Sequence, residues 1–374
     1  MLQRLKVLLV GDDAIHKIDI SEAINCTGIG KVVHSSSNGN LALEWLMHSE
    51  ANVVVLDAII DGQSSIDILK SIKSQYNYME VIMINDETPR SMEITLEGLK
   101  CGAFDFIQKK SDFGSLSNAA MNQLMVLFTQ IIIKQTHLSN NQADFAGIEI
   151  KNSTVMEEKP ERETKSKITR VNKFNPLLWD KAELILIAAS TGGPAALQVL
   201  CKMFPEDFAR PILIVQHMPA KFTRALAESL DRKCALSVEE ARDGEIIEKE
   251  KILIAAGGIH SIVEKKGHDN IIRLKSGSPV NGVRPAADVL FKSCAQSYAG
   301  KNVLVVILTG MGNDGLEGLR AIKNNCNCYC MVQSEKTCVV YGMPRCVHEA
   351  GLADEVVDLH KIGARLCEFA LGRR

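Results

Sequence analysis

Two series of short apolar segments, separated by a polar stretch, constrain the fold of this 374-residue chain more than any other feature. In the first series, from residue 5 to about 110, runs rich in valine, isoleucine and leucine alternate with helix-like segments. Strands that alternate with helices at this spacing predict right-handed βαβ units and a parallel sheet. A helix around 113–135 completes the fifth unit. The predicted strands are LKVLLV, KVVHSS, NVVVLD, EVIMIN and AFDFIQKK.

A second series starts at residue 183 and predicts a second α/β domain with a parallel sheet. Its strands are nearly continuous apolar runs, which is typical of a sheet that is covered on both faces. Between the two series, residues 138–178 are dense in charge and poor in large apolar side chains, so they predict a linker. We therefore predict one domain at 1–137 and another at 179–374. The strands of the second domain are ELILIAAS, PILIVQHM, KILIAAGG, IIRLKS, VLVVILTG and CYCMVQSE.

The composition argues against several classes of partner. With 43 basic and 45 acidic residues the formal net charge is -2, so nothing indicates binding to nucleic acid or to a membrane surface. The sequence has no signal peptide and no apolar run of the roughly 20 residues that span a bilayer, so we expect no membrane insertion and a cytoplasmic location. The eleven cysteines lack regular spacing, which favours a reducing compartment.

The closest group of cysteines is Cys326, Cys328 and Cys330, which alternate along a predicted strand. Alternation places all three on one face, so a metal or redox site is conceivable there. However, no fourth ligand lies nearby in the sequence, and a free cysteine packs well as a small apolar residue. We expect these cysteines to belong to the core.

Three strand ends of the second domain carry polar residues that could form a catalytic site. Ser190 follows one predicted strand, His217 follows the next, and Asp314 lies in a glycine turn after a third. Because the carboxyl ends of parallel strands open on one edge of a sheet, the three can act as a nucleophile, its base and the group that orients the base. Backbone amides near Thr191 and Met311 could then stabilise an oxyanion.

The turn around Asp314 also allows a different interpretation. The segment GMGNDG at 310–315 has the spacing G-x-G-x-x-G of a dinucleotide-binding loop, and Glu335 provides an acidic residue about 20 positions later. Such a loop normally lies in the first βαβ unit of its domain, whereas this one comes late. Asp314 would also lie beside the pyrophosphate and repel it. The sequence therefore favours acyl transfer and leaves cofactor binding as the weaker alternative.

Five motifs of the second domain, in this order, resemble the catalytic domain of the chemotaxis protein-glutamate methylesterases, over roughly 183 to 360. The resemblance implies a doubly wound, mostly parallel α/β esterase domain that needs no cofactor. Ser190 would be the nucleophile, His217 the general base and Asp314 its partner, with the oxyanion on the amides of Thr191 and Met311. The motifs are AASTGGP, QHMPAKFTRALAESL, PVNGVRPAADVLF, VILTGMGNDGLEGL and CVVYGMP.

The resemblance also implies a substrate and two activities. The enzyme would hydrolyse glutamate methyl esters on the cytoplasmic helices of methylated chemoreceptors and release methanol, and it would deamidate receptor glutamines as a second activity. Two departures are Ala188, where the family usually has glycine, and Val283, where histidine is common. Neither position belongs to the triad.

The first domain resembles a response-regulator receiver, which implies a flavodoxin-like fold with a parallel five-stranded sheet. Asp57 matches the phosphoacceptor and Lys109 the lysine that contacts the phosphoryl group, with a chemotaxis histidine kinase as the implied phosphodonor. Asp12 and Asp57 are the candidate ligands for Mg²⁺.

The receiver-like domain departs from the family at its metal site and at its switch position. Gly11 occupies the first position of the acidic pair, and Asn85 replaces the hydroxyl switch residue. Mg²⁺ depends on carboxylates for binding, so these departures predict weak metal binding and slow phosphoryl transfer. Two functions therefore remain open: a methylesterase that its receiver controls, and a regulatory docking protein with a degenerate receiver and little or no esterase activity.

Overall fold

The computed structural model describes residues 4–86, 88–109, 118–143 and 181–371. Two parallel sheets, each with helices on both faces, form an N-terminal and a C-terminal unit, so the predicted α/β class is confirmed. No helix in the described ranges is long and apolar enough to cross a membrane.

The N-terminal unit contains a five-stranded sheet with the order β2-β1-β3-β4-β5, and all its strand pairs are parallel. This is the flavodoxin-like order that the receiver resemblance implies. Its strands are β1 (Leu5–Val10), β2 (Gly30–Ser36), β3 (Val53–Asp57), β4 (Glu80–Asn85) and β5 (Asp105–Gln108). Its helices are α1 (Ala14–Cys26), α2 (Gly39–His48), α3 (Ser65–Gln75), α4 (Pro89–Lys100) and α5 (Asn118–Ala143).

The last helix of this unit differs from its prediction around 113–135. The buried side chains of Leu124, Leu127, Phe128 and Ile131 follow a helical period and hold α5 against the sheet. No glycine or proline ends the helix after them, so it continues to Ala143. The first six residues of the predicted linker thus belong to α5, and the rest of that linker lies outside the described residues.

The C-terminal unit contains a seven-stranded parallel sheet with the order β14-β13-β12-β6-β7-β9-β8. The chain order reverses beside β6, between its neighbours β7 and β12, and ligands of doubly wound sheets bind at such a switch point. The strands of this sheet are β6 (Leu184–Ala189), β7 (Ile212–Gln216), β8 (Ser237–Glu240), β9 (Lys251–Ile254), β12 (Asn302–Ile307), β13 (Asn327–Gln333) and β14 (Glu355–Val357). The helices of the unit are α6 (Gly193–Cys201), α7 (Phe222–Asp231), α8 (Ala287–Ser297), α9 (Leu316–Asn325), α10 (Met343–Glu349) and α11 (Leu359–Leu371).

One predicted strand of this unit lies outside the main sheet. The segment IIRLKS belongs to β11 (Asp269–Lys275), which pairs antiparallel with β10 (His260–Lys266) in a separate hairpin. Gly267, at φ +65°, forms the turn between these two strands. The hairpin carries charged side chains along much of its length, as expected for strands that are covered on one face only.

The three alternating cysteines lie in the core, as predicted. Cys326 precedes β13, while Cys328 and Cys330 lie within it, and all three are buried in one apolar cluster. Burial raises the pKa of Cys330 to about 12, so its thiol stays protonated and unreactive at neutral pH.

Candidate active site

Ser190, His217 and Asp314 follow three neighbouring strands of the C-terminal sheet. Ser190 comes directly after β6 and His217 directly after β7, while Asp314 lies in the loop between β12 and α9. Backbone hydrogen bonds hold these strand ends together: the amide of His217 donates to the carbonyl of Ala189 at 3.0 Å, and that of Ser190 donates to the carbonyl of Thr309 at 3.0 Å. The sheet therefore brings the three predicted residues to one edge.

His217 and Asp314 form a buried pair, with 2.7 Å between His217 Nε2 and Asp314 Oδ2. Burial alone would raise the pKa of Asp314, but hydrogen bonds from His217, from the Ala287 amide and from Asn281 together lower it below its ordinary value. The aspartate is therefore an ionised partner for the imidazole, and Nδ1 is the ring nitrogen that remains for a serine proton. Ser190 Oγ forms no hydrogen bond to His217 or to any other described residue.

The two backbone amides predicted to stabilise an oxyanion both lie beside Ser190. Within the described ranges, the amides of Thr191 and Met311 donate to no acceptor. The loop before Met311 approaches the serine closely, since a Cβ added at Gly310 would lie 2.6 Å from the Ser190 Cβ. Glycine is therefore required at position 310, and both amides stay available to a substrate within the described ranges.

The contacts of the GMGNDG loop argue against a pyrophosphate at this place. Asp288 Oδ1 accepts hydrogen bonds from the amides of Gly315 at 3.0 Å and Gly318 at 2.7 Å, so a protein carboxylate already occupies the start of α9. Glu335 lies in a short 3₁₀ turn after β13. Because a dinucleotide would need the amides that Asp288 uses, the loop fits the acyl-transfer interpretation better.

Gln216 and Thr309 support the serine loop, and neither was predicted from the sequence. Gln216 is 1% exposed, and its Nε2 donates to the carbonyl of Ser190 at 2.9 Å. Thr309 Oγ1 donates to the carbonyl of Thr191 at 2.9 Å. A polar residue at the end of an otherwise apolar strand, as in ILIVQ, is the signal that could have identified Gln216.

The N-terminal unit contacts the candidate active site directly. The sequence did not predict which residues make these contacts. Asp105 Oδ2 accepts a hydrogen bond from Thr191 Oγ1 at 2.7 Å, and Gln130 Nε2 lies 2.8 Å from Met311 Sδ. Both residues with free amides are thus contacted from the N-terminal unit. Burial of the carboxylate raises the pKa of Asp105 to about 6, because no cation among the described residues contacts it and only hydrogen bonds from Thr191 and a backbone amide offset the burial.

An aromatic contact lies beside these hydrogen bonds. The ring of Phe106 on β5 stacks on that of Phe222 at the start of α7, with 4.4 Å between centroids. Helix α4 also packs against α6 and α7, the helices that follow Ser190 and His217. The N-terminal unit therefore covers the edge of the sheet that carries the candidate triad.

The predicted phosphoacceptor pocket of the N-terminal unit has an ion pair at its centre. Asp57 is 6% exposed, and its Oδ2 lies 2.8 Å from Lys109 Nζ. Burial raises the pKa of Asp57 despite this lysine, and the charge of Asp12 adds to the rise. Asn85 is fully buried and donates a hydrogen bond from Nδ2 to Thr95 Oγ1 at 2.9 Å.

The residues of this pocket do not match a full Mg²⁺ site. A Cβ added at Gly11 would lie 3.4 Å from the Asp57 Cβ, so a side chain at this position would lie beside the phosphoacceptor. Glycine supplies no carboxylate there. Asp12 Oδ2 accepts a hydrogen bond from the Asp61 amide at 2.7 Å. In the described parts of the chain, no three His, Cys, Asp or Glu side chains are grouped to hold a metal ion. The predicted ligands Asp12 and Asp57 therefore stay a prediction.

Comparison with known proteins agrees with both units. The family model described as CheB methylesterase matches residues 185–366, and that described as response regulator receiver domain matches 7–121. A protein-glutamate methylesterase/protein-glutamine glutaminase of Pectobacterium atrosepticum is 33% identical over 365 residues, which are 98% of this chain and 97% of the relative. A protein of the same name from Halalkalibacterium halodurans is 34% identical over 362 residues, 97% of either chain.

A solved structure, the Thermotoga maritima CheB methylesterase catalytic domain, is 38% identical and covers 50% of this chain and 98% of its own, with a TM-score of 0.49. The relatives match in sequence along almost the whole chain, receiver and catalytic parts included. The chain therefore belongs to the family of protein-glutamate methylesterase/protein-glutamine glutaminases, with a receiver domain preceding a CheB methylesterase domain.

Proposed function

We propose that this protein hydrolyses glutamate methyl esters on methylated chemoreceptors and releases methanol, and that it deamidates receptor glutamines at the same site. The observation that carries the proposal is the buried His217–Asp314 pair beside Ser190, on adjacent strand ends with two free amides. Ester hydrolysis needs a nucleophile, a base and an oxyanion site, and these groups can supply all three.

The reaction follows from the proposed roles of these groups. Ser190 Oγ attacks the ester carbonyl while His217 takes its proton on Nδ1, and Asp314 on Nε2 stabilises the imidazolium. The amides of Thr191 and Met311 bind the oxygen that becomes negative. His217 then returns the proton to the departing methanol, and water hydrolyses the acyl-enzyme by the same route. With a glutamine substrate, ammonia leaves in place of methanol.

We further propose that the receiver domain inhibits this site while it is docked. Asp105 binds the Thr191 side chain and Gln130 approaches Met311, so the receiver lies where a receptor helix must enter. A chemotaxis histidine kinase would be the phosphodonor for Asp57, and Lys109 would contact the phosphoryl group. The ion pair of these two residues supports both roles, because it places the lysine beside the carboxylate that would carry the phosphoryl group. The protein would act in the cytoplasm, where the receptor helices are accessible.

No contact in the described residues favours the docking-protein alternative over an enzyme. The proposed organisation is a receiver domain whose last helix runs to Ala143, then a linker, and a catalytic domain within 179–374. Both boundaries are proposals, and limited proteolysis with mass spectrometry of the fragments would locate them.

The direct test is methanol release from membranes that contain methylated chemoreceptors. We expect the full-length protein to release methanol and the Ser190→Ala variant to release none, while the circular dichroism spectra of the two proteins agree. Equal release by the two proteins would show that Ser190 is not the nucleophile. No release by the wild type from any methylated receptor would favour the docking alternative.

A further inference from the structure

Asn281 lies at the tip of a tight turn beside the candidate active site. Val280 and Val283 pair through two backbone hydrogen bonds, and the residues between them have positive φ values, +53° for Asn281 and +77° for Gly282. Positive φ at both central residues is the geometry of a type I′ turn, for which Asn-Gly is the preferred sequence. The turn fixes the direction of the Asn281 side chain.

The side-chain amide of Asn281 bridges two carboxylates. Its Nδ2 lies 2.9 Å from Asp288 Oδ2 and 2.9 Å from Asp314 Oδ1. An amide nitrogen has two hydrogens, and both are used here. The acceptors are 3% exposed each, so their negative charges are held close together in a poorly hydrated place.

Each of the two aspartates also accepts hydrogen bonds from backbone amides at the start of the helix associated with the other. Asp314, which precedes α9, accepts hydrogen bonds from the amides of Ala287 at 2.6 Å and Asp288 at 3.1 Å, at the start of α8. Asp288, in α8, accepts from two amides at the start of α9 through its Oδ1. Helix starts favour negative charge, which offsets the repulsion between the carboxylates. Asn281 donates the remaining hydrogen bond to each aspartate.

These contacts determine how the Asp314 carboxylate is oriented. Its Oδ1 is held by Asn281 and the Asp288 amide, while its Oδ2 accepts from the Ala287 amide and faces His217 Nε2 at 2.7 Å. We propose that Asn281, which is held by its hydrogen bond to Asp288, is a positioning residue of the esterase. It fixes the rotation of the Asp314 carboxylate, and its hydrogen bond to that carboxylate weakens the attraction between Asp314 and protonated His217. This proposal rests on the proposed function, because Asp314 acts there through His217.

Two substitutions separate this role from the role of Asn281 in the turn. Glycine readily adopts positive φ, and aspartate tolerates it better than most residues, so Asn281→Gly and Asn281→Asp both keep the turn. Asn281→Gly only removes the donor. Asn281→Asp replaces the donor by a third carboxylate beside Asp288 and Asp314. A matched control is Asn325→Ala, because the Asn325 side-chain amide donates to a backbone carbonyl at the exposed end of α9 and to no other group that the structure describes.

The first measurement is methanol release by the full-length protein as a function of pH. For Asn281→Gly we expect kcat to fall about tenfold, the rate equivalent of one lost hydrogen bond to a charged group, with KM unchanged. The acidic limb of the kcat profile should move to higher pH, because more of the Asp314 charge then stabilises the imidazolium. Asn281→Asp should move it further, and Asn325→Ala should match the wild type.

The second measurement does not depend on activity. The proton between His217 Nε2 and Asp314 should give a downfield ¹H NMR signal that His217→Gln removes. We expect this signal to shift in Asn281→Gly and Asn281→Asp but not in Asn325→Ala.

The outcomes separate the two proposals. Wild-type kinetics and an unmoved signal in both Asn281 variants would overturn the positioning role, as would a change in KM alone. No methanol from the wild type would instead refute the proposed function, and the NMR signal would still test whether Asn281 positions Asp314.

Discussion

Replacing Asp105 by asparagine should tighten the docking of the receiver on the catalytic domain and so lower the basal esterase activity. The carboxylate of Asp105 accepts a hydrogen bond from Thr191 Oγ1, but no cation in the described part of the chain contacts it. An asparagine Oδ1 can accept the same hydrogen bond without a buried charge. The substitution therefore keeps the contact and removes its electrostatic cost.

The size of the effect follows from the pKa of Asp105, which burial raises from 3.8 to about 6 in the docked state. A raised pKa means that the docked state binds the proton more tightly, so docking is strongest below pH 3.8. Docking then weakens as the pH rises to about 6 and is constant above that. A difference of about 2 pH units corresponds to about 3 kcal/mol, or a limit of about 100-fold in the docking equilibrium at neutral pH.

The assay is the ratio of basal methanol release between wild type and Asp105→Asn, measured from pH 5 to 7.5. Both proteins carry the same catalytic groups, so the titration of those groups cancels in the ratio. We expect the wild type to be more active than Asp105→Asn at pH 7, by at least tenfold and at most about 100-fold, and we expect this ratio to fall by about tenfold between pH 7 and pH 5. Equal or higher activity of Asp105→Asn at pH 7 would refute the reasoning, because Asp105 would then favour docking as a charge.

Three other changes test the site and its control. Asp314→Asn should lower kcat by about 10⁴-fold, since it removes the charge that stabilises the imidazolium. It should also lower the thermal unfolding temperature, because backbone amides donate to both Asp314 oxygens and the new amide nitrogen cannot accept from either of them. A loss of kcat below tenfold would contradict the triad. Phe106→Leu keeps an apolar side chain but removes the ring that stacks on Phe222, so basal methanol release should rise about fivefold, the equivalent of about 1 kcal/mol of docking energy. A fall in release would show that the stack does not hold the inhibitory arrangement. Gly11→Asp restores a carboxylate beside Asp57, and it should increase Mg²⁺-dependent labelling by a small phosphodonor over the weak labelling of the wild type. Rapid stoichiometric labelling of the wild type would contradict this prediction.

The parallel sheets could be predicted from the sequence because their central strands are continuous apolar runs. Examples are VVVLD, LILIAA and NVLVVI. Each of these segments predicts a strand by itself, and each forms a strand of a parallel sheet. Strands β8, β10 and β14 were not predicted, because their segments SVEE, HSIVEKK and EVV are short or half polar and lack such a run. Their strand conformation depends on a neighbouring strand, which local sequence does not specify.

The candidate triad could be predicted because strand ends of a parallel sheet share an edge. Once the strands were located, their positions alone were enough to place Ser190, His217 and Asp314 together. The contacts that tune the site join residues far apart in sequence: Asp105 and Thr191 are 86 positions apart, and Asn281 and Asp314 are 33 apart. A turn asparagine and a strand aspartate carry no local signal of these partners, so only the folded chain reveals them.

The central claim is that Ser190 hydrolyses receptor glutamyl esters, and mass spectrometry of the receptor tests it most directly. Membranes with methylated chemoreceptors are incubated with full-length protein or with Ser190→Ala, and the receptor peptides are then compared. We predict that the wild type converts glutamyl methyl esters to glutamates at defined positions, with one methanol released for each ester lost, and that Ser190→Ala leaves the peptides unchanged. Unchanged peptides after incubation with folded wild-type protein, or equal conversion by Ser190→Ala, would contradict the account.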